Sequence, residues 1–265
     1  MKKYNFNQWL KEWLKVYKMP YMKHADKLER VIRLHIPQTL KDKQLVELNA
    51  IDLQKAINSV KTSRTALDVF DIIKASLTIA YKLGLIEKDI TYFLVKPKHI
   101  RSIGKALTND ELELFITTIK NHRLNNYFLF CLYSGCRRAE ALNVAWEDID
   151  IKKGLLHVKG TKTALSDRYI PLFDKLLQVI KQIPKNRKKL FYHRADFVSR
   201  KFHEFCPKHK LHDLRHTFAT RCLESGVNIK VVQTWLGHSR INTTADIYSH
   251  CLLPFAMEES KKVNF

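Results

Sequence analysis

The chain is poor in the two residues that most often interrupt regular structure, with only seven glycines and seven prolines among 265 residues. This scarcity disfavours long irregular loops, and we expect helices to dominate. No apolar run approaches the roughly 18 residues that a membrane-spanning helix needs, and no signal-peptide or lipidation pattern is present. We therefore interpret the chain as that of a soluble, cytoplasmic protein without a membrane partner.

Cysteine and acidic residues are also scarce. The five cysteines are an odd number without paired spacing, which predicts reduced thiols rather than a disulfide framework. Only 26 Asp and Glu residues oppose 47 Lys and Arg residues, so the formal net charge is +21 and the pI is near 9.8. This surplus favours a polyanionic partner, and nucleic acid is the first candidate.

Hydrophobic periodicity divides the chain into four segments. Residues 1–95 predict a helical, basic domain that contacts a DNA backbone, with a merely solvated charged face as the alternative. Residues 96–107 lose the periodicity and predict a linker that lies along phosphates. Residues 108–251 form a second domain, and residues 252–265 form a C-terminal tail. The basic residues that we expect to contact DNA from the linker are Lys96, Lys98, Arg101 and Lys105.

Several boundaries can be predicted from capping signals. In the first domain, one helix is expected to begin with Asp52 as its N-cap, and another to span 63–83 before Gly84. In the second, Thr108 and Glu111 have the spacing of a capping box. An apolar helix over 127–133 is expected to stop at Ser134-Gly135, followed by a short helix with Arg137 at its entrance. After residue 146, short β-like segments at 155–158 and 169–172 predict a hairpin around a Gly-Thr-Lys-Thr turn, and helices resume after it.

Four separated blocks occur in a fixed order in the second domain. They read S-G-C-R-R-A-E-A-L, then G-T-K-T with D-R-Y-I-P-L, then H-D-L-R-H-T, and finally L-G-H-S with I-Y-S-H. Together they resemble the motifs of the tyrosine recombinases of the phage-integrase family. The resemblance implies a scissile phosphate surrounded by five residues and attacked by a sixth, Tyr248. The five are Arg137, Lys162, His212, Arg215 and His238.

The same resemblance implies a mainly α fold with a small β-hairpin (α+β). A helical, SAM-like core-binding domain and a catalytic domain would form a C-shaped DNA clamp. The implied reaction is site-specific cutting and rejoining of DNA through a covalent 3′-phosphotyrosine and a Holliday junction, performed by a tetramer. We expect integration or excision of a mobile element at specific sites in double-stranded DNA, at the nucleoid, with DNA-bending accessory proteins as additional partners. An N-terminal arm-binding domain is not expected.

Three other functions remain open at this point. A chromosome- or plasmid-dimer resolvase of the Xer type would use the same residues, and so would a type IB topoisomerase acting on one duplex. A non-catalytic DNA-binding regulator is the non-enzyme alternative, although a binding module has no use for Tyr248. Supercoil relaxation by monomers would favour the topoisomerase.

The chemistry of these residue types agrees with the resemblance. Two arginine forks can clamp a phosphate from two sides, and nearby cations stabilise a phenolate whose ordinary pKa is about 10. Lys162 has the reach to protonate a departing 5′-hydroxyl. No acidic metal-binding cluster accompanies the set, so we expect no cofactor and assign magnesium's role to the cations. Taken singly, each residue has an ordinary explanation; Arg137, for example, could simply pair with Glu140.

Two further features carry weaker hypotheses. The run 181–210 holds ten Lys and Arg residues against two acids, and Arg200 and Lys201 are candidate DNA contacts on a helix beginning near Ala195. A three-residue spacing that zinc can use relates His203, Cys206, His209 and His212, but Pro207 interrupts the helix that would align them and disfavours a metal site. In the tail, apolar residues are expected to dock on a neighbouring protomer, with packing on their own domain as the alternative. These are Leu252, Leu253, Phe255 and Met257.

Overall fold

The computed structural model describes residues 4–22, 25–99, 104–160 and 167–237. The chain divides into two compact units, Met1–Ser102 and Ile103–Phe265. No helix in the described part of the chain is both long and apolar enough to cross a membrane. Several residues named above lie outside the described residues, namely Arg101, Lys162, His238, Tyr248 and the tail from 252 to 265.

The first unit is helical and has a core of its own. Trp9 lies in this core, and its indole N–H donates to the carbonyl of Ser76 at 3.0 Å, so even the polar atom of this side chain is satisfied. Two 3-10 turns, Leu45–Glu47 and Ile90–Phe93, connect the elements. The helices are α1 (Phe6–Tyr17), α2 (Asp26–His35), α3 (Gln38–Lys41), α4 (Ala50–Asn58) and α5 (Ser63–Lys82).

The predicted boundaries in this unit are right for α5 and wrong for α4. Helix α5 ends at Lys82, and Gly84 adopts the left-handed φ of 69° that stops a helix. Helix α4 begins at Ala50 because Asn49, not Asp52, is its N-cap: the Asn49 side chain accepts from the backbone N–H of Asp52. The Asp52 carboxylate instead pairs with Lys43 at 2.7 Å.

The second unit combines seven helices of its described part with a small antiparallel sheet in the order β1-β2-β3. The predicted hairpin is confirmed by the pairing of Leu156 with Ile170 and of Val158 with Arg168. The third strand, β1, was not predicted because two residues carry no readable alternation. The elements are α6 (Asn109–Ile119), α7 (Asn125–Ser134), α8 (Arg138–Asn143), β1 (Ile149–Asp150), β2 (Leu155–Val158), β3 (Arg168–Pro171), α9 (Asp174–Lys181), α10 (Ala195–Phe205), α11 (Asp213–Glu224) and α12 (Ile229–Leu236).

Thr108 and Glu111 form the predicted capping box of α6, and α7 ends at Ser134 before Gly135, as predicted. The structure therefore confirms the mainly α fold with a small sheet.

Helix α11 is buried on almost every face, and it contacts α7 on one side and α12 on another. The chain segment before α6 is fixed against α11. The Leu107 N–H donates to the Thr217 hydroxyl at 2.9 Å, and a guanidinium nitrogen of Arg221 donates to the Leu107 carbonyl. Gly104 lies so close to α11 that a Cβ there would be 2.2 Å from the His216 ring. These contacts fix α11 within the unit. Two predicted site residues depend on this helix, because Arg215 lies in it and His212 is its N-cap.

Phe202 joins α10 to α6 and α7, since its fully buried ring contacts Phe115 and Phe128 at centroid distances of 5.3 and 5.8 Å. We expect Phe202→Ala to lower the free energy of unfolding by about 3–5 kcal/mol, because the ring leaves a cavity between three helices. Urea unfolding of the full chain measures this change. The control is Leu114→Ala on α6, where the side chain is 68% exposed. Equal effects of the two substitutions would contradict the packing described here.

Candidate active site

Arg137 is the N-cap of α8, and the turn that precedes it determines its place. Gly135 ends α7 with a left-handed φ of 63°, and a Cβ at this position would be 2.5 Å from the Phe218 ring. The chain therefore turns sharply against α11 before α8 begins. The Glu140 carboxylate accepts from the backbone N–H of Arg137 at 2.7 Å, which satisfies one of the free N–H groups at the helix start.

Arg215 lies in the first turn of α11 and is only 2% exposed. Its guanidinium donates to the carbonyl of Gly135 at 2.9 Å and to the carbonyl of Leu236. Burial, together with the charge of Arg137, lowers the pKa of Arg215 to about 9, so the group is still charged at pH 7. A buried cation in a dry environment attracts an anion more strongly than an exposed one.

Glu140 brings the two predicted arginines together. Its Oε1 is 2.6 Å from Nη1 of Arg137, and its Oε2 is 3.9 Å from Nη1 of Arg215. The Glu140 side chain is 7% exposed, whereas the Arg137 side chain is 37% exposed. One side of Arg137 thus faces the carboxylate while the other reaches solvent, where an anion can approach.

Arg168, on β3, is a component of this site that the sequence did not reveal. It donates through Nη2 to Oε2 of Glu140 at 2.9 Å and through Nη1 to Oε1 at 3.3 Å. Burial raises the pKa of the Glu140 carboxyl, but the hydrogen bond and charge of Arg168, followed by the contacts of Arg137, outweigh burial and lower that pKa to about 2. Glu140 is therefore a buried carboxylate that stays charged.

The C-terminal end of α12 faces the same three arginines. The carbonyl of Trp235 accepts from Arg168, the carbonyl of Leu236 accepts from Arg215, and the carbonyl of Gly237 accepts from Nη2 of Arg137 at 3.4 Å. The last carbonyls of a helix have no partner within the helix and carry its negative dipole end, so cations stabilise them. Three consecutive carbonyls are thus bound by three guanidinium groups.

His212 is the N-cap residue of α11, and its ring centroid lies 5.1 Å from that of His216. The residue keeps contact with solvent. Nevertheless desolvation, followed by the charges of Arg215 and further cationic neighbours, lowers the pKa of His212 to about 4. The imidazole is therefore neutral at pH 7.

A cleft of about 700 Å³ opens beside Arg137 and His212. Of the six residues that the resemblance placed around a phosphate, the structure brings Arg137, His212 and Arg215 together. The other three, Lys162, His238 and Tyr248, lie outside the described residues. Glu140 was expected only as a pairing partner of Arg137, and Arg168 stands in the D-R-Y-I-P-L block without any local sign that its side chain is buried.

The candidate DNA contacts differ in their surroundings. Lys96 and Lys98 in the first unit are exposed, and so are Lys105 and Arg200 in the second. Lys201 is half-buried and pairs with Glu204 at 2.6 Å. Near Arg200 on α10, Arg123 lies over the Phe197 ring at 4.7 Å, so cationic and aromatic groups share this surface.

The residues considered as zinc ligands do not converge in the structure. Helix α10 ends at Phe205, before Pro207, and His203 is exposed while Cys206 is buried. His209 contacts the carboxylates of Glu111 and Asp213 at 3.2 and 3.4 Å. Within the described part of the chain, no three His, Cys, Asp or Glu side chains are grouped so that they could hold a metal ion.

The histidines of this unit predict a loss of stability in acid. Desolvation lowers the pKa of His122, His193, His212 and His216 from an ordinary value of 6.5. Below about pH 6.5 these histidines therefore bind protons in the unfolded chain but not in the folded one. The free energy of unfolding is highest above that pH and falls as the pH decreases toward 4. Urea unfolding at pH 7.5 and 5.5 measures this loss. It should be smaller in His212→Gln and unchanged in His203→Gln, an exposed control; equal losses in all three proteins would contradict the assignment.

Comparison with known proteins agrees with the motifs. The sequence model of the phage integrase family matches residues 105–252. Tyrosine recombinase XerA of Pyrococcus horikoshii is 31% identical over 212 residues, which cover 74% of each chain. A tyrosine recombinase of Pseudothermotoga lettingae is 30% identical over 243 residues, covering 84% of this chain and 79% of the relative.

Solved structures share the fold at lower sequence identity. The Tn1549 transposon integrase, solved with a circular intermediate DNA, has a TM-score of 0.75 and 19% identity over 98% of this chain and 100% of that one. A lambda integrase dimer bound to a COC′ core site has a TM-score of 0.79 and 17% identity over 93% of this chain and 78% of that one. From the family match and the two relatives, we conclude that this chain belongs to the phage integrase family and is a tyrosine recombinase.

Proposed function

We propose that this recombinase cuts and rejoins DNA strands at specific sites through a covalent 3′-phosphotyrosine formed by Tyr248. The proposal rests on the pair of arginines, Arg137 and Arg215, which lie on either side of Glu140. The motifs of the same chain supply the tyrosine. One is buried and the other partly exposed, which suits an anion that enters from solvent and is clamped from two sides. The net charge of +21 supports a polyanionic substrate.

In the proposed reaction, the Tyr248 oxygen attacks the scissile phosphorus while the bond from phosphorus to the 5′-oxygen breaks. Arg137 and Arg215 stabilise the negative charge on the non-bridging oxygens, and His238 donates a further hydrogen bond. Neutral His212 takes the phenol proton, and Lys162 gives a proton to the departing 5′-hydroxyl. Because the phosphotyrosyl bond conserves the energy of the phosphodiester, attack by another strand's 5′-hydroxyl reverses the step without ATP.

The domain organisation follows from this function. Residues 1–95 are assigned to a core-binding domain, 96–107 to a linker and 108–251 to the catalytic domain, followed by a tail. Lys96, Lys98, Arg101 and Lys105 would contact phosphates from the linker, and Arg200 and Lys201 would do so from α10. The exposure of four of these six side chains supports the assignment.

The biological role that we favour is integration or excision of a mobile element, acting at the nucleoid. Strand exchange would proceed through a Holliday junction held by a tetramer, and a lambda integrase structure of similar fold is a tetramer on such a junction. Resolution of chromosome or plasmid dimers is the runner-up, because the XerA and XerC-like names of the relatives favour it. DNA-bending accessory proteins are additional partners under either role.

A nicked suicide duplex tests the nucleophile directly. The duplex carries a site recovered by footprinting and loses its short 5′-hydroxyl strand on cleavage, so rejoining is blocked. We expect wild-type protein to form a covalent adduct that resists SDS and is destroyed by protease, and Tyr248→Phe to form none, because the phenyl ring lacks the attacking oxygen.

Two further measurements complete this test. Binding of the duplex by Tyr248→Phe, measured by mobility shift, should match wild type, which shows that the variant is folded. An adduct formed equally well by Tyr248→Phe would refute the nucleophile. Relaxation of supercoiled plasmid by monomers, without exchange between two sites, would favour the topoisomerase alternative.

If Arg137 and Arg215 clamp the scissile phosphate, Arg137→Lys should slow cleavage far more than it weakens DNA binding. Lysine keeps the charge but cannot donate in the planar fork, so we expect single-turnover adduct formation to fall by about 100-fold or more. Affinity for the duplex should change by about threefold or less, because charge dominates binding to phosphates. Arg64→Lys, at an exposed arginine that pairs with Asp68 in the first unit, is the matched control. Cleavage by Arg137→Lys at the wild-type rate would show that Arg137 does not clamp the phosphate.

A further inference from the structure

The reaction proposed above makes no use of Arg168, although this arginine is among the least exposed side chains of the second unit. Its side chain is 2% exposed, and it is the first residue of β3. Transfer of a guanidinium from water into a protein interior is unfavourable unless charges and hydrogen bonds compensate it. The contacts of Arg168 therefore indicate which parts of the molecule it stabilises.

The first compensating group is Glu140. Arg168 donates to both carboxylate oxygens, whereas Arg137 reaches the carboxylate from the half-exposed side. The three guanidinium groups around this carboxylate carry +3 and Glu140 carries −1, so the cluster has a net charge of +2. Without Arg168 one positive charge is lost and the net charge is +1. The negative charge of Glu140 then opposes Arg137 and Arg215 alone.

The second group is the carbonyl of Trp235, which accepts from Nε of Arg168. This carbonyl belongs to the last turn of α12, whose next two carbonyls are bound by Arg215 and Arg137. Arg168 thus contacts both groups that compete with a phosphate for the clamp arginines, namely the carboxylate and the helix end. It also links β3 to the point in the chain just before His238.

We infer that Arg168 is a positioning residue for strand cleavage, which holds Glu140 and the end of α12 so that Arg137 and Arg215 remain free to bind the scissile phosphate. The inference rests on the proposed function. In this arrangement the Glu140 carboxylate aligns Arg137 without neutralising it, because the negative charge of Glu140 is already balanced by Arg168, which the proposed reaction does not use.

The test compares Arg168→Met with the double variant Arg168→Met/Glu140→Gln in single-turnover adduct formation on the nicked duplex. We expect Arg168→Met to cleave about 100-fold more slowly than wild type, with affinity for the duplex within about threefold. The double variant should recover about tenfold of this loss, because the uncompensated carboxylate is gone. A purely structural role for Arg168 predicts the opposite, since a second substitution in a packed site would add to the damage.

Two control variants accompany this comparison. Lys153→Met removes an equal charge from the exposed turn between β1 and β2 and should cleave at the wild-type rate. Arg168→Lys keeps the charge but not the fork, and should cleave at a rate between those of wild type and Arg168→Met; if the methionine variant does not fold, a wild-type rate in Arg168→Lys overturns the inference. Cleavage by Arg168→Met at the wild-type rate, or a double variant no faster than the single one, also overturns it. Failure of wild type to form a Tyr248 adduct would instead refute the proposed function.

Discussion

One buried carboxylate holds the candidate active site together. Glu140 lies among Arg137, Arg168 and Arg215, and it is charged because these cations more than offset the desolvation that burial imposes. The same guanidinium groups bind the last three carbonyls of α12. The cations are therefore held between one fixed negative charge and one helix dipole end. Both groups offset the repulsion among the three guanidinium groups.

The elements of the fold converge on this arrangement. Gly135 turns the chain against α11 so that α8 begins with Arg137, and α11 is buried so thoroughly that Arg215 has little freedom to move. The β-sheet supplies Arg168 from β3, and α12 ends with Gly237 in a left-handed conformation next to the cluster. Preorganised donors of this kind need no rearrangement when negative charge develops in a reaction, which is the main source of electrostatic catalysis.

The sequence predicted those parts of the site that depend on local signals. Capping and glycine patterns located the starts of α6 and α8 and the end of α7, and the resemblance to the family's motifs made Arg137, His212 and Arg215 candidates. Glu140 was recognised only as a local partner of Arg137. Arg168 could not be found, because its importance comes from burial and from contacts 28 and 67 positions away. Asp52 was misread as a cap since Asn and Asp both favour that position and only geometry decides between them.

We propose that Arg137 and Arg215 clamp the phosphate that becomes joined to Tyr248, and a crystal structure of the covalent adduct, trapped on a nicked duplex, would show whether they do. We expect one phosphorus bonded to the Tyr248 oxygen, with guanidinium nitrogens of both arginines within about 3.2 Å of its non-bridging oxygens. Glu140 should remain paired with Arg168 in that structure. A phosphate bound by other residues, with either arginine still turned toward protein carbonyls alone, would contradict it.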